Sequence, residues 1–509
     1  MNKDLVPPTP NPGPSKHFSH DLLGAARHNG ARFAAGNRAV KLGLCLVFLA
    51  LVGWFATEQS GTGPDAVFII LAGIVGGYMA LNIGANDVAN NVGPAVGSGA
   101  LTMLGALAIA AVFGTLGAVL AGGDVVATVS KGIIDPARIA SATVFMTAML
   151  AALIASALWI NLATYVSAPV STTHSIVGGV LGAGVAAAGF AVVDWGTMSK
   201  IAASWVISPV LGGVIAALFL GFIKFQILDK RDKIAAAKRW VPVLVALMAG
   251  AFSAYLVMKG LKKVWQPEPW AVILIGTAVF AGAYAALKPL VARRARGMEN
   301  RDKAVHGLFT IPLICSAALL SFAHGANDVA NAIGPLSAIV SVAASGAITA
   351  KVEIPLWVML IGAAGISAGL VLFGPKLVRR VGEEITKLNP TRAYCVALSA
   401  AITVIAASAL GLPVSSTHIA VGGIFGVGFF REYFASRKRR ARSGLPGGTP
   451  AKAIERKSRL ENGNGEKPRH RKLVRRAHLV TIVAAWVVTV PVTAVMAGGI
   501  FLAISAFQP

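Results

Sequence analysis

The chain carries one polar heptad twice, each time inside a long apolar stretch. Gly-Ala-Asn-Asp-Val-Ala-Asn occurs at Gly84–Asn90 and again at Gly325–Asn331. The first Asn and the Asp lie four and three residues before the last Asn, so all three side chains would share one face of a helix. An ionisable group at the centre of a membrane helix costs roughly 3 kcal/mol on insertion scales. A chain that places one there twice is expected to build a single transport site from two related halves.

Shortly after each heptad comes a Gly-Pro pair, at Gly93–Pro94 and Gly334–Pro335, which favours a break in the helix. A break exposes carbonyl oxygens, which together with carboxylate and amide oxygens suit a hard cation. The predicted coupling-ion residues are therefore Asn86, Asp87, Asn327 and Asp328. The alternative is that these residues only join helices through hydrogen bonds, which explains a lone Asn better than two matched Asp residues.

A second motif is also repeated. Pro-Val-Ser-Thr-Thr-His occupies 169–174, and Pro-Val-Ser-Ser-Thr-His occupies 413–418. Ser and Thr after Pro are typical of helix starts, where hydroxyls cap the helix and free backbone N–H groups bind anions. Two such starts could face one anion, although each could also simply cap an ordinary helix. The predicted substrate ligands are these hydroxyls and the last Asn of each heptad: Ser171, Thr172, Thr173, Ser415, Ser416, Thr417, Asn90 and Asn331.

Neither motif contains Lys or Arg, so a bound anion would meet the carboxylates of Asp87 and Asp328 without a fixed positive charge. A cation must then screen the carboxylates, which predicts obligatory cotransport with Na⁺ or H⁺. The histidines that end the second motif, His174 and His418, are either proton carriers or hydrogen-bonded links between helices. We expect no resident metal and no cofactor. The three cysteines lie in apolar segments without ligand spacing: Cys45, Cys315 and Cys395.

Composition indicates an all-α polytopic membrane protein. Of 509 residues, 55% are hydrophobic and 13% charged, against about 25% charged in soluble domains. The net charge of +25 would suggest nucleic acid in a soluble protein. Here the basic residues cluster between apolar runs, which predicts contact with membrane lipid and no nucleic-acid partner.

About thirteen apolar runs reach spanning length, some of them as broken or hairpin helices. They are 42–57, 66–92, 100–121, 141–163, 170–190, 199–223, 241–258, 269–287, 307–336, 355–373, 393–411, 413–430 and 479–506. With the basic N-terminus in the cytoplasm, alternation places the basic connectors inside and the C-terminus outside the cell (inner) membrane.

This topology gives the two heptads opposite orientations, as in an inverted-repeat secondary transporter. Ile83–Pro94 matches His324–Pro335 at an offset of 241, and the Ser/Thr motifs match at 244. The predicted organisation has seven parts: a basic, partly disordered tail (1–41), an extra span and loop (42–65), the first repeat (66–223), basic connectors with two linking spans (224–306), the second repeat (307–430), a basic cytoplasmic loop (431–478) and the last span of the second repeat (479–509).

The paired heptads and Ser/Thr motifs resemble those of the PiT family of inorganic phosphate transporters, over most of 66–430 and the last helix. The resemblance implies cation-coupled phosphate symport by alternating access. Phosphate would lie between the two Ser/Thr starts, and the cations near the Asn-Asp pairs. Many members carry a membrane Glu where this chain has Gly114, and some carry another at Ala397. The lost carboxylates leave the coupling ion open between Na⁺ and H⁺.

Three other functions remain to be weighed. A sulfate permease would use similar motifs, but phosphate at neutral pH can donate a hydrogen bond to Asp87 or Asp328 and sulfate cannot. A cation channel or exchanger could use the carboxylates alone, which leaves the paired hydroxyl motifs unexplained. A membrane enzyme would need a nucleophile with a base or a metal cluster, and neither pattern is present. A homodimer is left open.

Overall fold

The computed structural model describes residues 38–63, 65–165, 170–260, 267–346, 354–380, 388–443 and 476–507. Within these ranges the chain is helical, apart from one isolated antiparallel bridge between Ile134 and Val193. The first half contains α1 (Arg38–Ser60), α2 (Ala66–Asn86), α3 (Ala89–Gly97), α4 (Met103–Ala121), α5 (Gly123–Ala127), α6 (Ala142–Tyr165), α7 (Thr172–Ala188) and α8 (Trp195–Ile223). The second contains α9 (Lys233–Lys259), α10 (Pro269–Arg294), α11 (Asp302–Leu308), α12 (Thr310–Ser345), α13 (Leu356–Arg380), α14 (Pro390–Ala409), α15 (Ser416–Ser443) and α16 (Arg476–Ser505).

Eleven helices in the described ranges are long and apolar enough to cross a membrane, so the protein is a multi-pass membrane protein. The predicted number of thirteen is not confirmed. The two remaining apolar runs form α7, a shorter helix of 17 residues, and the first half of α15, whose second half is basic. These are the two helices that begin with the Ser/Thr motifs. Most of the predicted tail 1–41 and residues 444–475 of the predicted loop 431–478 lie outside the described residues.

The packing of the helices follows the sequence repeat. In chain order, α2–α3, α4, α6, α7 and α8 correspond to α12, α13, α14, α15 and α16. Helix α2 packs against α13, and its counterpart α12 packs against α4. Likewise α7 packs against α16, and α15 packs against α8. Each half therefore contacts the other through equivalent pairs of helices, and the two halves interlock.

The first glycine of each heptad is required by this packing. A Cβ atom on Gly84 would lie 1.9 Å from the carbonyl oxygen of Ile366 on α13. A Cβ on Gly325 would lie 2.0 Å from the carbonyl oxygen of Gly114 on α4. Small residues allow this close approach of backbones in membrane helices. The heptad glycines thus hold the polar face of α2 and α12 against the opposite half.

A helix break occurs in the first heptad only, and it lies at Asp87–Val88, whereas the Gly93–Pro94 pair that was expected to cause it stands inside α3. Helix α2 ends at Asn86 and α3 begins at Ala89, and the N–H groups of Asn90 and Asn91 bond to carbonyls three residues back. Helix α12 runs unbroken for 36 residues through the second heptad and Pro335, so the expected break there is wrong. Proline removes only its own donor and is tolerated where neighbouring helices support the backbone. Consequently, the second heptad can offer a cation its side-chain oxygens, but it offers no backbone carbonyl oxygens freed by a helix break.

The remaining helices lie at the periphery. Helices α9 and α10, the predicted linking spans, pack against each other, and α1 packs against α2. In the most apolar stretch of α1, and likewise of α10, only 17% is buried within the protein. Their exposed large apolar side chains, such as Leu46 and Ile273, fit contact with lipid chains.

Candidate substrate and ion site

The two heptads and the two Ser/Thr motifs meet inside the helical core. Asp87 is 4% exposed and Asp328 is 1% exposed. The hydroxyls predicted to bind substrate are buried as well: Ser171, Thr172, Thr173, Ser415 and Ser416. Because the carboxylates and hydroxyls share one buried region, the predicted substrate and ion residues form one site.

Each carboxylate accepts a hydrogen bond from the hydroxyl motif of its own half. Thr172 Oγ1 donates to Asp87 Oδ2 at 2.8 Å, and Ser416 Oγ donates to Asp328 Oδ2 at 3.0 Å. Both donors are the first residues of their helices. The preceding serine caps the helix, and for α7 the Ser171 hydroxyl accepts from the N–H of His174 at 3.3 Å. Capping therefore sets the orientation in which these hydroxyls meet the carboxylates.

The last Asn of each heptad binds the hydroxyl motif of the opposite half. Asn90 Nδ2 donates to Thr417 Oγ1 at 2.9 Å. Asn331 Nδ2 donates to Thr173 Oγ1 at 3.1 Å and to Thr172 Oγ1 at 3.2 Å. These contacts couple the halves, because each Ser/Thr helix start is hydrogen-bonded both to the Asp of its own repeat and to the last Asn of the other repeat.

The first Asn of each heptad contacts the segment that leads to a Ser/Thr motif. Asn86 Nδ2 donates to Thr164 Oγ1 near the end of α6 at 3.2 Å. Asn327 Nδ2 donates to the equivalent Ser408 on α14 at 2.9 Å, and its Oδ1 accepts from the N–H of Val414 at 3.1 Å. In this conformation Asn327 therefore holds the segment that leads into α15, and Asn86 holds the end of α6. The oxygen of Asn327 in particular is engaged by the backbone rather than open to a cation.

The two motif histidines face each other. The ring centroids of His174 and His418 are 5.2 Å apart, and Trp205 stacks on His174 at 3.8 Å. His174 Nδ1 lies 2.8 Å from the Ser171 hydroxyl. The histidines thus lie where the two helix starts approach, next to the hydroxyls that were predicted to bind substrate. Their proposed part in proton transfer stays a prediction.

A third histidine belongs to the site and was missed in the sequence. His324 is 1% exposed, and its Nδ1 lies 2.5 Å from Asp328 Oδ2 and 3.2 Å from Ser416 Oγ. The signal was present: His324 occupies the position matched by Ile83 in the first repeat. A polar residue replacing an apolar one four residues before a buried carboxylate predicts contact on the same helix face.

The site offers neutral donors to an anion. Among the described residues, no lysine or arginine forms an ion pair with Asp87 or Asp328, and no group of three His, Cys, Asp or Glu could hold a metal. The lysine–carboxylate pair Lys259–Asp124 joins the end of α9 to the start of α5. Hydroxyls, amides, the three imidazoles and helix N-termini are therefore the groups that can bind an anion here.

The fold and the site together define a polytopic membrane transporter built from two matched halves around a buried polar site. The chain belongs to the phosphate transporter family, whose model matches residues 83–497. Members of this family are transporters and not enzymes.

Relatives with this description come from distant organisms. The chain is 46% identical over 510 residues to a Helicobacter pylori (strain J99) protein named "Putative phosphate permease", covering 92% of this chain and 96% of the relative. A permease of the same description in Pyrococcus abyssi is 37% identical over 73% of this chain and 91% of its own length. A solved structure of a sodium-dependent phosphate transporter is 34% identical, with a TM-score of 0.76 over 87% of this chain and all of the other.

Proposed function

We propose that this protein moves inorganic phosphate across the membrane together with a cation, H⁺ or Na⁺, by alternating access. The observation that carries the proposal is the arrangement of hydroxyls around the carboxylates of both halves. Thr172 and Ser416 donate to Asp87 and Asp328 while the opposite Asn residues hold the same helix starts. Family membership and the sodium-dependent phosphate transporter of similar fold support this function.

The hydroxyls link cation binding to phosphate binding. In this structure their protons point to the carboxylates, and a phosphate oxygen would compete for them. A cation at a carboxylate takes over its oxygen, so the hydroxyl can turn its proton to the anion. The same cation lowers the repulsion between carboxylate and phosphate. Phosphate binding is therefore strong only when the cation is present, which is the basis of symport.

Alternating access follows from the matched halves. The site is buried in this structure, so substrate exchange with either side requires the interlocked helices to move. In the proposed topology the repeats are inverted, the N-terminus lies in the cytoplasm and the C-terminus outside the cell membrane. Rocking of one half against the other would then open the site to each side in turn. Contact with membrane lipid and a homodimer remain predictions of the sequence.

The choice of phosphate over sulfate has a chemical basis. A phosphate monohydrogen ion can donate to a carboxylate or to a buried acceptor, and sulfate at neutral pH has no proton to donate. Asp87 and Asp328 both lie within the site as acceptors. A site built with such acceptors discriminates against an analogue that lacks the donor.

Uptake into liposomes tests this function. The purified full-length protein is reconstituted, and entry of labelled phosphate is measured with a Na⁺ gradient and a pH gradient imposed separately. We expect uptake driven by at least one gradient and little competition by excess sulfate. Full uptake without either gradient would contradict the symport mechanism. Cation flux that needs no anion would favour a channel or exchanger.

A further inference from the structure

The tip between α14 and α15, residues 409–415, is held by side chains from other helices. Trp205 Nε1 of α8 donates to the carbonyl oxygen of Pro413 at 3.0 Å. Thr173 Oγ1 of α7 donates to the carbonyl oxygen of Val414 at 3.0 Å. Because α15 begins directly after this tip, the position of the tip sets the position of the hydroxyls that begin α15. Any group that holds the tip therefore influences the site.

One of the groups at this tip comes from outside both repeats. Lys259 is the last residue of α9, a linking span, and its Nζ donates to the carbonyl oxygen of Ala409 at 3.0 Å. Ala409 is the last residue of α14, so its carbonyl group has no partner within the helix. A cation at a helix C-terminus also interacts favourably with the helix dipole. The ammonium group of Lys259 thus binds the free end of α14.

The same ammonium group forms an ion pair with Asp124 Oδ2 at 2.6 Å. Asp124 lies in the first turn of α5. The backbone of this turn also lies against the tip, since a Cβ atom on Gly411 would be 3.3 Å from the carbonyl oxygen of Asp124. The side chains of Lys259 and Asp124 are 24% and 42% exposed, so water reaches the pair only in part. Lys259 therefore joins α9, α5 and α14 at one point.

From Ala409 the connection reaches the second heptad within one residue. The neighbouring Ser408 hydroxyl accepts from Asn327 Nδ2 at 2.9 Å, and Asn327 Oδ1 accepts from the N–H of Val414 at 3.1 Å. A movement of the tip therefore changes the contacts of Asn327 directly. Lys259 itself contacts Asp124 and Ala409, which belong to neither repeated motif, so its influence on the site is exerted through the tip.

The other end of α9 carries a second lysine–aspartate pair. Lys233, the first residue of α9, lies 2.5 Å from Asp302 Oδ1 at the start of α11. Helix α9 has 27 residues, so its two ends are about 40 Å apart. The two pairs thus lie near opposite faces of the membrane, and the Lys233 pair is far from the tip. It provides a natural comparison for the pair formed by Lys259.

We propose that Lys259 is a positioning residue of the transport cycle: bound to Asp124 and Ala409, it holds the tip closed over the site, and release of this three-way contact lets the tip move and opens the site on that side. This inference rests on the proposed function and gives the linking span α9 a part in it. In the proposed topology, the side concerned is the outside of the cell. Separation of α14 from α5 would break both contacts of Lys259. The contact therefore shifts the equilibrium towards the closed state.

Hydrogen exchange at the tip tests the proposal. The amide groups of Leu410, Gly411 and Leu412 bond to carbonyls of α14, and their exchange rate measured by mass spectrometry on the purified full-length protein reports local opening. Lys259→Met keeps the length of the side chain and removes its charge. It should speed exchange at the tip roughly two- to fivefold, the factor that corresponds to a partly exposed ion pair. Lys233→Met, at the other end of α9, is the matched control and should leave the tip unchanged.

Two further variants separate this role from a general loss of stability. Lys259→Arg keeps the charge and the N–H donors, so it should preserve the wild-type exchange rate at the tip. Asp124→Asn should speed exchange as Lys259→Met does, and it replaces that variant if Lys259→Met fails to fold. In liposomes, Lys259→Met should lower the turnover of phosphate uptake without raising KM, because a larger open population does not weaken substrate binding. Loss of a substrate ligand would instead raise KM.

Unchanged exchange at the tip in both Lys259→Met and Asp124→Asn would overturn the proposal, and so would an equal effect of Lys233→Met. Phosphate uptake by the wild type separates this inference from the proposed function. If the wild type takes up phosphate while the tip does not respond to either variant, the inference fails and the transport function stands. If the wild type takes up no phosphate under either gradient, the transport function fails, and Lys259 loses its place in a transport cycle even if the tip responds.

Discussion

The two halves of the molecule are equivalent where they would touch substrate and different where they would touch ions. In both, a Ser/Thr hydroxyl donates to the Asp of its own half and the last Asn reaches the hydroxyls of the other half. In the second half alone, an imidazole holds the carboxylate and the helix runs unbroken through the heptad. The difference teaches that a repeated motif can make matching contacts with two hydroxyl motifs and still give its two carboxylates unequal surroundings.

The largest expected effect comes from removing either carboxylate. Asp87→Asn and Asp328→Asn should each reduce phosphate uptake roughly 100-fold or more, since an interaction with a buried charge is worth about 3 kcal/mol. Uptake into liposomes, corrected for the amount of protein reconstituted, measures the loss. Equal losses would show that transport needs both halves even though the surroundings of their carboxylates differ. Wild-type uptake by one variant would remove that carboxylate from the mechanism.

The next effect concerns the interlocking of the halves. Gly84→Ala and Gly325→Ala each place a Cβ atom about 2 Å from a backbone carbonyl oxygen of the opposite half. Such overpacking costs about 1–3 kcal/mol or more, because backbone has to move. The yield of monodisperse protein extracted from membranes should fall for both. Gly282→Ala on α10, where no atom lies within 4 Å of the added Cβ, is the matched control and should express normally. Normal yield of both heptad variants would show that the halves are not tightly interlocked there.

Aligning the two copies predicts a large part of this arrangement from the sequence alone. Another part cannot be predicted in that way. The hydroxyl motifs begin helices, as the Pro and Ser/Thr pattern predicted, and in both repeats the Asp and the last Asn contact these helix starts. His324 was detectable by aligning the copies position by position against Ile83. The unbroken α12 was not, since a Gly-Pro pair breaks or bends a helix depending on the packing around it. The bonds of Asn90 and Asn331 to the opposite half depend on long-range packing that no local spacing encodes.

Those bonds across the halves give the third prediction. Asn90 makes one hydrogen bond to the opposite hydroxyl motif, and Asn331 makes two. At about 1 kcal/mol for each bond, Asn90→Ala should raise the phosphate KM about fivefold and Asn331→Ala about 30-fold. Asn82→Ala, whose amide donates to Tyr78 of its own helix, is the control outside the site. The double variant Asn90→Ala with Thr417→Val measures whether the two residues interact. If its effect on KM equals the sum of the two single effects in free energy, the residues do not interact, and the proposed contact between the halves at this position is contradicted.

The smallest expected effect comes from a difference between the N-termini of two equivalent helices, α6 in the first half and α14 in the second. Helix α14 is capped by Asn389, whose Oδ1 accepts from the N–H of Arg392 at 3.0 Å, while its Nδ2 lies 2.9 Å from His306 Nε2. The equivalent helix α6 begins beside Ser141, whose hydroxyl accepts from the N–H of Val144. Because an amide N–H faces Nε2, that ring nitrogen must be unprotonated. A proton there would break the bond that orients the cap of α14.

Burial, together with the nearby guanidinium of Arg392, lowers the pKa of His306 below its ordinary value of 6.5, and Asp302, which Lys233 also binds, opposes this shift. The unfolded chain therefore takes up a proton at a higher pH than the folded one, so stability falls as pH drops below about 6.5. The wild type should lose up to about 1 kcal/mol, the value of a helix cap, relative to His306→Gln between pH 7.5 and pH 5. Thermal unfolding of the purified protein across this range measures the difference. Ser141→Ala should lower stability equally at every pH, and a His306→Gln variant that follows the wild-type pH profile would show that the two helix starts do not differ in this way.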